Sequence, residues 1–140
     1  MFSHVTLGAD DLDKAVRFYD AVLGEIGMHQ RVVEPDGGPE ARCWVRSEAP
    51  YPRFYVSEPF NKAPASSGNG TILAFVAPSR EAVDRAHAAG LAHGGTDEGA
   101  PGLRPHYAPD YYGAYLRDPS GNKIHFVHRN ELTASFGIAP

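Results

Sequence analysis

The sequence predicts an α+β fold of two βαβββ modules, with mixed or antiparallel sheets curved around a shared cavity. Three observations predict it. The order strand, helix, then several strands occurs twice along the 140 residues, and matching element order is the main sign of a repeat. Lys14-Ala15-Val16 aligns with Glu81-Ala82-Val83, and Gly27 falls on Gly94 at the same offset. Asp118-Pro119-Ser120-Gly121 divides two apolar, β-branched runs. It reads as a hairpin turn, because Pro presets φ and Gly tolerates a positive one.

Each element follows from local pattern. Ser3 to Gly8 alternates, with Val5 and Leu7 on one side and His4 and Thr6 on the other. Asp10 and Asp11 offer helix caps, and Leu12, Ala15, Val16, Tyr19, Val22, Leu23 and Ile26 recur at helical spacing. The spacing predicts a helix over 11–26, stopped at Gly27. Met28–Val33, Ala41–Ser47 and Arg53–Ser57 read as strands, parted by Pro and Gly. Gly70–Ala77 reads as the strand that opens the second half. Ser79 caps a helix through Ala82, Val83, Ala86, Ala89 and Leu91. A Gly-rich stretch covers 94–102, and Tyr111–Arg117 and Asn122–Arg129 form the hairpin. The expected organisation is one domain: module one over about 1–57, a linker at 58–69, module two over about 70–129, and a loose tail at 130–140.

Composition narrows the function classes. The chain is 42% hydrophobic and 21% charged, with 15 glycines and 12 prolines. That describes a turn-rich globular domain and argues against disorder. A net charge of −4 disfavours nucleic acid or an anionic membrane as partner. No apolar run is long enough to span a bilayer, and Met1-Phe2-Ser3-His4 lacks the basic start of a signal peptide. The single thiol, Cys43, fits a reducing cytoplasm and reads as a packed small hydrophobe rather than a nucleophile. His29, His87, His93 and His128 are expected at the surface or an interface.

His4-Val5-Thr6-Leu7 followed by Asp10, Ala15 and Phe18-Tyr19, then Ile72-Leu73-Ala74-Phe75, then Asp118-Pro119-Ser120-Gly121-Asn122-Lys123-Ile124-His125 resemble the markers of the vicinal oxygen chelate superfamily. That superfamily includes glyoxalase I, extradiol dioxygenases, fosfomycin-resistance enzymes and bleomycin-binding proteins. The block from Gly99 to Tyr107, with Tyr111-Tyr112-Gly113-Ala114-Tyr115, is similar to a bacterial glyoxalase-like branch. The resemblance implies a divalent metal on the face away from the helices. Its ligand positions, carried onto this chain, are His4, Ile72 and His125. All three fall on the alternate side from the apolar residues beneath the helices.

Here the chain departs from the family pattern, which has His at the middle position and Glu at the last. Ile72 has no lone pair, and two neutral imidazoles fall short of the three protein ligands of a catalytic zinc site. Tyr55 is a poor substitute. The expectation is therefore no resident cofactor, or at most a weakly held divalent ion such as zinc, nickel, iron or manganese at His4 and His125. Those two histidines are the candidate catalytic groups, because imidazole exchanges protons near neutral pH. Ile72, Arg104, Tyr112, Tyr55 and Trp44 are the candidate substrate-binding residues, with Arg104 placed to grip a carboxylate or phosphate and the aromatics to wall a pocket. The plainer reading of the aromatics is strand and core packing.

Two functions follow from the resemblance. One is a glyoxalase-like enzyme, a relative of lyases, isomerases and dioxygenases, acting on an oxygenated organic compound without the full metal site. The other is a metal-free protein of the bleomycin-resistance type that sequesters a small molecule. Either way the expected partners are a small-molecule ligand and a second copy of the chain, because exposed strand edges in a single chain are a liability.

Overall fold

The computed structural model describes residues 1–139, so Pro140, the end of the expected tail, lies outside the described residues. The elements are β1 (His4–Gly8), α1 (Leu12–Gly24), β2 (Met28–Arg31), β3 (Ala41–Arg46), β4 (Arg53–Ser57), β5 (Ile72–Val76), α2 (Arg80–Ala92), β6 (Thr96–Leu103), β7 (Tyr112–Arg117), β8 (Lys123–His128) and α3 (Asn130–Ser135). The strands form two four-stranded sheets, ordered β1-β4-β3-β2 and β5-β8-β7-β6. β1 runs parallel to β4 and β5 parallel to β8, while the remaining pairs are antiparallel. The two sheets are the same unit written twice: α+β, two βαβββ modules, with neither sheet closed on itself.

Local chemistry sets the helix ends. The Asp11 carboxylate accepts the Lys14 N–H at 3.1 Å, and the Ser79 hydroxyl accepts the Ala82 N–H at 3.1 Å. Gly27 and Gly94 follow the two helices at φ +83° and +91°, conformations that L side chains resist. α1 is shorter than the expected 11–26 because its last turn loosens into an Ile26 N–H to Leu23 carbonyl bond.

Both helices pack on one side of the sheets, and one apolar core runs through both modules. Phe54 of β4 meets Phe75 of β5 edge-on at 5.2 Å, and Phe75 stacks on Phe126 of β8 at 5.7 Å. The helices approach closely where Gly90 of α2 faces Phe18 and Val22 of α1. The turn Asp118–Asn122 fastens the modules together. Asn122 Nδ2 donates to the Gly8 carbonyl at 2.8 Å and to Asp118 Oδ2 at 2.8 Å. Asp10 accepts the Ala65 N–H, which holds the 58–69 connection against the end of β1.

Three expectations need correction. The Gly-rich 94–102 stretch is largely a strand: β6 pairs with β7 through two register shifts, the irregularity that Gly99, Pro101 and Gly102 require. The tail is not wholly loose, since α3 occupies its start, although it buries no residue. His87 is not at the surface. It lies on α2 at 7% exposure with Nε2 2.9 Å from Asp97 Oδ1 of β6.

Candidate functional site

Register fixes which side chains share the face away from the helices. In the first sheet His4 pairs with Arg53, Thr6 with Tyr55, and Tyr55 with Cys43. Their neighbours Phe54, Val56 and Trp44 point into the core. In the second sheet Ile72 pairs with Lys123, Ala74 with His125, and His125 with Tyr115. The alternation places His4, Ile72 and His125 on the helix-free sides of their sheets.

The first sheet holds an open cleft of about 620 Å³. Its floor comprises His4, Thr6, Tyr55 and Ser57, and the 33–42 segment rises as its wall, with Arg42 at the rim. His4 packs edge-on against Tyr55 at 5.6 Å, and its Nδ1 sits 2.6 Å from the Ser3 hydroxyl. Nε2 of this exposed ring is left to face other groups. Arg53 NH1 donates to the Tyr55 oxygen at 3.3 Å, so the Tyr55 proton is free to be donated in turn. Arg53 also stacks on the Tyr51 ring at 4.5 Å. Arg42 pairs with Glu40 at 2.8 Å. Beside Tyr55, its partner across β3 and β4, Cys43 is fully buried, and burial pushes its thiol up, away from the thiolate form, with the Tyr55 hydroxyl opposing.

The second sheet is covered by its own chain. His125 is 3% exposed. Its Nδ1 lies 2.8 Å from the Ala114 carbonyl, and its Nε2 lies 2.8 Å from the Tyr111 hydroxyl. A carbonyl only accepts, so Nδ1 carries the proton and Nε2 accepts from Tyr111. Burial holds the His125 pKa below the usual imidazole value, while the Ala114 bond opposes this and the Arg104 and Lys123 charges add to it. Tyr115 stacks on the imidazole at 4.0 Å and 11°. Gly113 makes the room: a Cβ there would sit 2.5 Å from His125 Cε1. Tyr107 packs on Tyr111 at 5.0 Å, completing an aromatic cover. Burial and the Tyr107 hydroxyl push the Tyr115 pKa up to about 12.

The sequence-predicted residues therefore separate. His4 and Tyr55 line one cleft together. His125 lies beneath Tyr111 on the other sheet, and Ile72, 48% exposed, stands on the neighbouring edge strand β5. Arg104 does not reach toward the cleft; its guanidinium donates to the Ala100 and Leu103 carbonyls of its own segment. Tyr112 turns to the helix side, where its hydroxyl donates to Asp84 at 2.6 Å, and burial is secondary to that bond in raising its pKa. Trp44 is no pocket wall: it is fully buried against Tyr19 and Phe54, with its indole N–H donated to Asp20 at 3.0 Å. Thr6, Ser57 and Arg42 escaped the sequence reading. The parity of Thr6 with His4 was the available signal, whereas Arg42 sits on the side of its strand that alternation assigns to the core.

The donor set does not fit the family's metal. Ile72 offers no lone pair, and the His125 lone pair is taken by Tyr111. Among the described residues no three His, Cys, Asp or Glu side chains cluster as metal ligands, and His4 alone is one short of even a two-ligand site.

Two βαβββ modules with mixed four-stranded sheets and an open cleft on the helix-free face define the fold class to which this chain belongs. It is a member of the Glyoxalase/Bleomycin resistance protein/Dioxygenase superfamily, whose family model matches residues 1–126. The chain is similar in structure to a glyoxalase/bleomycin resistance protein from Albidiferax ferrireducens T118, with 43% identity and a TM-score of 0.79 over 92% of this chain and 98% of that one. It shares its fold with a glyoxalase-related enzyme from Fulvimarina pelagi, at 18% identity and TM-score 0.69 over 92% and 88% of the two chains. It also shares it with lactoylglutathione lyase from Agrobacterium tumefaciens, at 20% identity and TM-score 0.61 over 94% and 95%. No curated protein matches the sequence.

Proposed function

We propose that this chain acts on an oxygenated small organic molecule in the cleft of the first sheet, as a glyoxalase-like enzyme that works without a resident metal. The observation that carries the reading is the convergence of His4, Thr6, Tyr55 and Ser57 on one cleft of about 620 Å³, a size ordinary for a ligand pocket. Ser3 orients the His4 ring, leaving Nε2 to take up or deliver a proton. The Tyr55 hydroxyl, its oxygen already bonded by Arg53, donates to a ligand oxygen. Thr6 and Ser57 supply further hydroxyls. Electrostatic stabilisation of developing negative charge comes from these fixed donors rather than from a metal.

The test is a panel of small α-oxygenated carbonyl compounds screened by thermal shift and then assayed for turnover. Losing a charge-assisted hydrogen bond costs about 1.5–3 kcal/mol. His4→Ala should therefore weaken binding or turnover by tenfold or more, and Tyr55→Phe by a smaller factor. A His4→Ala protein that binds and turns over as the wild type does would overturn the reading.

A second reading is favoured by the exposed ring of Tyr107, 58% accessible above the aromatic cover: a metal-free binding protein that stacks a planar ligand there. Binding without turnover, insensitive to His4→Ala, would select it. We also propose that the chain works as a homodimer in the cytoplasm. In support, Ile72, Leu103 and Phe136 are exposed apolar groups, and each sheet has two open edges. Among the described residues no helix is long and apolar enough to cross a membrane. Sedimentation at micromolar concentration should give twice the 15.1 kDa chain mass.

A further inference from the structure

The second sheet carries a buried polar position whose partner is supplied by the chain itself, apart from the cleft around His4. With its Nδ1 proton committed to Ala114, His125 presents one lone pair at Nε2. That lone pair needs a donor. A carboxylate brings only acceptors and would be repelled there. A hydroxyl on a flat ring fits, as Tyr111 demonstrates: its ring lies within 11° of the imidazole plane while its O–H is donated at 2.8 Å. Tyr115 closes one face of the slot and Gly113 keeps the other side free of a Cβ.

Tyr111 reaches His125 from outside the sheet. It precedes β7 and is only half-buried. Its main-chain bonds, from Arg104 N–H and to the Ala108 carbonyl, survive rotation of the side chain. The segment is tethered outward through Asp110, whose Oδ2 accepts the Asn130 N–H at 3.1 Å and whose Oδ1 stands 3.6 Å from Arg129 Nε. The helix that bears this tether has six residues and buries none.

We propose that His125 and Tyr115 form a slot for a phenolic or enolic hydroxyl, and that Tyr111 is an internal plug which such a ligand displaces. The probe is 4-methylphenol, the tyrosine side chain itself, set against its methyl ether, 4-methylanisole, which has the same ring and no donor. Plugged protein binds with an affinity reduced by the fraction of time the slot is open. By calorimetric titration, Tyr111→Ala should bind 4-methylphenol at least tenfold tighter than wild type, and at least tenfold tighter than it binds the ether. His125→Phe in the Tyr111→Ala background should erase that preference. Equal affinity for phenol and ether, or no binding by a folded Tyr111→Ala protein, would overturn the proposal. Asp110→Ala tests the plug without enlarging the slot: it should tighten 4-methylphenol binding severalfold over wild type, and unchanged affinity would sink the displacement.

Discussion

The Tyr19 hydroxyl of α1 donates to Asp118 Oδ2 at 2.6 Å, across 99 residues of sequence and from one module to the other. Asp118 is almost fully buried. Its Oδ1 accepts the Ser120 and Asn122 N–H groups at 2.8 and 3.0 Å, shaping the hairpin turn. One carboxylate thus folds its own turn and anchors the opposite helix. Burial first, and the Asp118 carboxylate second, push the Tyr19 pKa well above the ordinary phenol value.

Tyr19→Phe keeps the ring and removes the donor. A hydrogen bond to a buried charge contributes about 1.5–3 kcal/mol, so the unfolding free energy from denaturant titration should drop by that amount. A change within experimental error would show that the tie between modules is not energetic.

Gly90→Ala sets two effects against each other. Alanine in a helix interior is favoured over glycine by about 1 kcal/mol. A Cβ at Gly90, however, would sit 2.5 Å from Leu116 Cδ1 and 3.2 Å from both Phe18 and Val22, and overpacking a tight core costs roughly 1–3 kcal/mol. The steric cost should win, with a lower melting temperature for the variant. A higher one would mean that the helix contact yields more readily than its geometry implies.

The fold was legible where local and global signals agree. α1 carried a cap, a periodic apolar face and a terminal glycine, and Asp118–Asn122 is a turn by residue type alone. β6 was hidden because Gly99, Pro101 and Gly102 look like loop, and the strand survives only through bulges against β7. The site was half legible. Alternation placed His4 and His125 on helix-free faces, because parity is local. It could not show that Trp44 belongs to the core, since that depends on β3 pairing Trp44 with Phe54 rather than with Tyr55. Nor could it reveal that residues 104–111, which have no period, return over His125. That contact is decided by tertiary packing.

His125 gives the stability a pH dependence of known sign. Folding lowers its pKa, chiefly by burial. Below the unfolded value of about 6.5, the unfolded chain takes up a proton that the folded chain refuses. Stability is therefore complete above that pH and falls as pH drops from there toward the folded pKa. Unfolding free energies measured across pH 5 to 8 should decline more steeply on acidification for the wild type than for His125→Gln. Parallel curves would contradict the burial of a neutral imidazole.

The most direct measurement of the central claim, a ligand site that works without a metal, is titration of the purified, chelator-treated chain with Zn²⁺ and Ni²⁺ by calorimetry and thermal unfolding. With Ile72 in place of a ligand and the His125 lone pair engaged by Tyr111, His4 is left as a single exposed imidazole, too few for a stable site. No saturable binding at micromolar metal and no rise in melting temperature are expected. Micromolar binding with a clear thermal shift, abolished by His4→Ala, would contradict the claim.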